Sequence, residues 1–142
     1  MNGNALWDPC GLGDEVWRQV GVDPATLRSD IGGIARIEGF KRCGGIDVER
    51  TCAVDIWAQI YTVEDFRRKE VGTEFIPISI AGREGLRYRP ICDRTGQQCS
   101  LLFPAAVGSF SIEVLKLDPR GPVDPCARAI EVATVVVPLL PL

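Results

Sequence analysis

The spacing of hydrophobic and polar residues changes period several times along the chain, and each change marks an element. Leu12, Val16 and Val20 recur every four residues with Trp17 beside them, while Asp14 and Glu15 open the turn and Gly21 closes it. That spacing predicts a short amphipathic helix. Over residues 34–43 the period is two, with Ile34, Arg36, Glu38, Phe40 and Arg42 on one strand face and Ile37, Lys41 and Cys43 on the other. The imperfect alternation predicts a bulge near Gly39. Gly44-Gly45 and the charged run 47–50 read as a connection to a second strand over 52–61. There Val54, Ile56, Ala58 and Ile60 make one clean apolar face.

Thr62 followed by Asp65 has the spacing of a capping box, so a short helix is expected from there to about Glu70, with Val63 and Phe66 inward and Arg67, Arg68 and Lys69 outward. Residues 75–80 alternate through Ile76, Ile78 and Ile80, and Pro77 points to an edge position or to a place where its missing N–H is tolerated. Gly82 to Gly85 supplies a hairpin turn into Leu86-Arg87-Tyr88-Arg89, and a polar loop over 92–99 leads to strands at 99–103 and 110–115. A last helix starts at Asp124 and ends near Pro138, with Cys126, Ile130, Ala133 and Val137 as its inward stripe. The order predicts an α+β domain: an antiparallel meander covered by N- and C-terminal helices plus one short helix.

Composition narrows the functional classes. The chain has 142 residues, enough for one core, and residues 1–142 read as a single domain. Its formal charge of −3 argues against nucleic acid as a partner, and no apolar run reaches the ~18 residues that span a bilayer. The chain carries no signal-peptide pattern of its own. Six cysteines accompany no histidine and form no CxxC pair. This favours disulfides over a metal or redox site, and therefore an oxidising compartment outside the cytoplasm. No metal and no cofactor are expected. Asp8-Pro9-Cys10 returns as Asp124-Pro125-Cys126, each copy reading as an Asp cap, a Pro in the first turn and a cysteine aimed from a helix start.

The string Trp7-Asp8-Pro9-Cys10, residues 21–26, Asp30-Ile31-Gly32-Gly33, residues 39–43, Ala81-Gly82-Arg83, Asp124-Pro125-Cys126-Ala127 and a closing Leu140-Pro141 follow one another in a distinctive order. In that order the chain resembles the actinobacterial lipoproteins, mycobacterial and nocardial, of domain of unknown function 3558. It departs from them after Cys43, where Gly44-Gly45 stand in place of a Trp. The resemblance implies an extracytoplasmic cell-envelope lipoprotein, secreted and held by a lipidated cysteine lying before Met1, with a sheet-and-helix fold related to the Mog1 and PsbP group. It also implies pairs Cys10–Cys43, Cys99–Cys126 and Cys52–Cys92. A local alternative joins Cys43 to Cys52, Cys92 to Cys99 and Cys10 to Cys126.

Without histidine a Ser-His-Asp hydrolase is excluded, and the adjacent acids Asp14/Glu15 and Glu64/Asp65 read as first-turn charges. No catalytic residue is singled out. Arg83, Arg87 and Arg89 form the candidate binding patch, suited to anionic headgroups, phosphates or an acidic partner. The expected function is non-enzymatic: a monomer binding an envelope protein or an amphiphilic lipid. The alternative is an enzyme or accessory subunit acting on cell-wall lipid or glycan.

Overall fold

The computed structural model describes residues 6–69, 72–90, 93 and 96–141. Its principal elements are α1 (Asp14–Gln19), β1 (Phe40–Ile46), β2 (Cys52–Gln59), α2 (Val63–Arg68), β3 (Gly72–Ile80), β4 (Arg83–Pro90), β5 (Gln98–Pro104), β6 (Ser109–Lys116) and α3 (Pro125–Val136). The strands make one antiparallel sheet in the order β1-β2-β6-β5-β4-β3, an α+β architecture. Strands β3 to β6 run as a meander. The β1–β2 hairpin does not extend it at β3; β2 seats against β6 instead, and α2 lies on the path from β2 to the far edge.

One sheet face carries the core. Val54, Ile56 and Ala58 of β2, Cys99, Leu101 and Phe103 of β5, and Phe110, Ile112 and Val114 of β6 are buried beneath Ala129, Val132, Ala133 and Val136 of α3. Each fully buried Val, Leu, Ile or Phe contributes about 1.5–3 kcal/mol relative to exposure. Trp17 and Val20 of the α1 segment complete this layer, Trp17 being the most deeply buried residue of that turn while Val16 is only half-buried. Of the expected inward stripe of α3, Ala133 and Val137 are buried and Cys126 packs against the core, but Ile130 is 39 % exposed and Ala129, Val132 and Val136 take the core side in its place. Small residues there bring the helix close to the sheet, to which Cys126 is tied. The β-branched end of α3 is held by this packing rather than by helix propensity.

The first strand begins at Phe40, later than its alternation suggests, and runs through Gly44 and Gly45 instead of stopping before them. Both glycines are buried at close approaches. A Cβ on Gly44 would stand 1.8 Å from Asp55 Oδ1, and one on Gly45 would stand 2.8 Å from Thr26 Oγ1. They are packing glycines, not turn glycines. The register irregularity lies between Thr73 and Ile76 of β3 rather than near Gly39, and β3 is an edge strand as Pro77 predicts. The β3–β4 turn is Ala81-Gly82, with φ of 52° and 79°, two residues that both adopt the left-handed conformation a tight hairpin needs. Gly85, placed in the turn by sequence, lies inside β4.

The repeated Asp-Pro-Cys turns have the expected caps. Asp8 Oδ1 accepts from the Cys10 amide at 2.9 Å, and Asp124 Oδ1 accepts from the amides of Cys126 and Ala127 at 3.0 and 3.4 Å. The first copy opens only a 3-10 turn, Pro9–Leu12, because Gly13 at φ 88° separates it from α1. Disulfides join Cys10 to Cys43 and Cys99 to Cys126, so the hairpin-base alternative does not form. Cys52 is buried with a free thiol, which burial pushes above its ordinary value; Cys92, its partner by resemblance, lies outside the described residues. Replacing Asp124→Ala should cost about 1 kcal/mol through loss of the cap, seen as a lowered urea midpoint that Asp124→Asn largely restores.

Candidate functional site

The arginines of the candidate patch all leave β4 on the side taken by Leu101, since Arg87 pairs with Leu101 and the three share strand parity. Arg83 is tied down. Its Nη2 donates to the carbonyls of Leu140 and Pro141 at 3.4 and 3.0 Å, and its guanidinium stands 6.0 Å from the Phe110 ring centre. Arg89 Nε lies 4.0 Å from Asp93 Oδ2. The other basic run belongs to the opposite side of the sheet, because α2 packs Phe66 against Tyr88 at 6.5 Å between centroids. There Arg68 pairs with Asp65 and Lys69 stands 4.4 Å over the Tyr61 ring.

The sheet face turned away from α3 carries a second arrangement. Register places Gly44 opposite Asp55, Asp55 opposite Glu113, Glu113 opposite Ser100, and Ser100 opposite Tyr88. A polar row thus crosses five strands. Gly44 leaves room at one end for the Asp55 carboxyl, which Arg42 grips with Nε at 2.8 Å and Nη2 at 2.7 Å. Arg42 Nη1 also donates to the Asp30 carbonyl at 2.6 Å, fixing the 29–38 segment against β1. Gln98 Nε2 donates to Glu113 Oε2 at 2.5 Å. Aromatic rings flank the row, with Phe40 edge-on to Trp57 at 6.1 Å and Phe75 stacked on Tyr88 at 5.2 Å.

Desolvation dominates the electrostatics here. Burial pushes the Glu113 carboxyl up to about 7, the Asp55 charge pushes the same way, and Gln98, Ser100 and Arg42 act against them. Burial also raises Asp55, opposed by Arg42, and raises the Tyr88 phenol, with the Glu113 charge adding to that rise. The fully buried Ser100 hydroxyl lies beside Tyr88 and Glu113 without a bond of good geometry. Asp47 is a different case. Burial pushes its carboxyl up, but bonds from the Thr51 hydroxyl and the amides of Thr51 and Cys52 outweigh this and hold it below the usual range. Its work is to close the β1–β2 turn.

Sequence reasoning missed the row. Asp55 and Glu113 sit at mid-strand positions between apolar neighbours and look like ordinary solvent-facing residues. Only the β2–β6 register, which no local pattern encodes, sets them opposite each other. The adjacent acids that the sequence marks as first-turn charges fall in first helical turns, Asp14 and Glu15 in α1, Glu64 and Asp65 in α2.

A groove of about 640 Å³ lies beside the row's Arg42 end, between the 29–38 segment and β1; Asp8, Ile31, Arg36, Ile37, Phe40 and Arg42 are among the residues lining it. Its volume falls in the roughly 300–1,000 Å³ range of small-ligand sites. Among the described residues no three His, Cys, Asp or Glu side chains cluster as a metal site, and no helix is long and apolar enough to cross a membrane. Residues 2–139 match the family described as protein of unknown function (DUF3558). No curated protein and no solved structure matches the chain significantly.

Proposed function

This chain belongs to the DUF3558 family of proteins of unknown function, and from that premise we propose a non-enzymatic, extracytoplasmic binding domain of the actinobacterial cell envelope. A lipid anchor outside this chain holds it at the membrane. Two disulfides support the compartment, since such bonds persist in oxidising spaces. The groove is the observation that carries the binding reading. Ile31, Ile37 and Phe40 offer an apolar wall, and the exposed Arg36 offers a cation beside it. That combination suits an amphiphile with an acyl chain and an anionic head.

Native mass spectrometry with lysophosphatidylglycerol and lysophosphatidylcholine as probes tests this. The wild type should hold the anionic lysolipid, Ile37→Asp should weaken binding of both about tenfold or more, and Arg36→Glu should weaken the anionic one selectively. Binding unaffected by either substitution would remove the groove from consideration and leave a protein partner as the occupant of another surface.

A further inference from the structure

Within the sheet the β1–β2 hairpin pairs with the four-strand meander along β2 and β6, and in the middle of that seam Asp55 stands directly opposite Glu113. Like charges in directly opposed cross-strand positions weaken pairing. We infer that the Asp55–Glu113 pair is a pH-responsive clasp: it holds hairpin to meander while one carboxyl keeps its proton, and loosens the seam when both are charged.

The surrounding groups decide which carboxyl keeps the proton. From β1, Arg42 is committed to Asp55, so Asp55 carries the negative charge. From β5, Gln98 donates to Glu113 and Ser100 lies beside it, both neutral. Tyr88 of β4 stays a neutral phenol, its value raised by burial. On α2, Arg68 is engaged with Asp65 and Lys69 with Tyr61. Helix α3 covers the other face. Glu113 therefore faces the Asp55 charge while the Arg42 guanidinium is engaged with Asp55, in a desolvated setting that raises it to about 7.

The sign follows from linkage. A carboxyl with a higher pKa folded than unfolded binds more protons in the folded state. Its contribution is complete below the ordinary value of 4.5 and is lost as pH rises through about 7. Interacting acids titrate as a pair, so the observable is a macroscopic step.

The test is urea unfolding of the oxidised protein between about pH 5 and pH 8, paired with carboxyl carbon NMR titration. The wild type should lose roughly a hundredfold in its folding constant across that window. Glu113→Gln should flatten the profile, and the Glu113 carboxyl should titrate near 7 in the wild type. A Glu113 carboxyl that titrates in the ordinary glutamate range, or a Glu113→Gln variant that keeps the wild-type slope, would overturn the clasp. The wild-type titration decides the matter even where the variant does not fold.

Discussion

Replacing Cys99 and Cys126 with serine should lower the unfolding free energy by about 3 kcal/mol, and removing Cys10 and Cys43 as well should leave the chain unfolded near physiological temperature. The two bridges close loops of 27 and 33 residues. In the chain-entropy treatment each restricts the unfolded ensemble by roughly 3.5 kcal/mol. Together they amount to about half or more of the 5–15 kcal/mol that a domain of this size commonly has. Native contacts do not replace them at the N-terminal end, where Pro9–Leu12 is a single 3-10 turn. The α3 end differs, since Ala129, Val132, Ala133 and Val136 bury an apolar stripe that does not itself depend on the bond. Urea unfolding followed by circular dichroism, with and without dithiothreitol, measures the effect. A midpoint indifferent to reduction would show that the core alone holds the fold.

The same contrast explains how far the sequence could be read. Elements with strong local determinants were legible: the Thr62–Asp65 capping box forms with both reciprocal bonds, and the apolar face Val54-Ile56-Ala58 points into the core. Pro77 located an edge strand because a missing amide constrains position directly. The phase of α3 departs from the periodic stripe at Ile130, since the helix must satisfy the Cys99–Cys126 bond and a close approach to the sheet. Periodicity admits more than one stripe through Ala127–Val137, and tertiary geometry selects among them. Pairing of distant strands was harder still. Nothing local in 52–61 or 109–116 announces that β2 lies beside β6, so the strand order and the Asp55–Glu113 juxtaposition appear only in the folded chain. The basic residues were legible as types but not as a surface, because Arg83 is held by the Leu140 and Pro141 carbonyls.

Gly44 illustrates the remaining difficulty and carries the second large expected effect. Beside Gly45 and a charged run it reads as a turn residue, for which alanine would be a mild change. In the sheet it is buried, and an added Cβ meets Asp55 Oδ1 at 1.8 Å and the Val54 carbonyl oxygen at 2.9 Å. The carboxyl cannot simply rotate away without releasing Arg42, which would leave a partly buried ion pair broken. The backbone of β1 cannot recede without losing its pairing to β2. Overpacking of this kind typically costs about 1–3 kcal/mol, and breaking a buried pair can add as much. Gly44→Ala is therefore expected to destabilise by roughly 3 kcal/mol. Gly11→Ala, where the added methyl meets nothing within 4 Å, should stay within about 0.5 kcal/mol of wild type. Amide exchange should speed up across Phe40–Ile46 in the first variant and not in the second. Equal urea midpoints for the two would mean that β1 accommodates a side chain at the seam, and that the Arg42–Asp55 contact is not held by the absence of one.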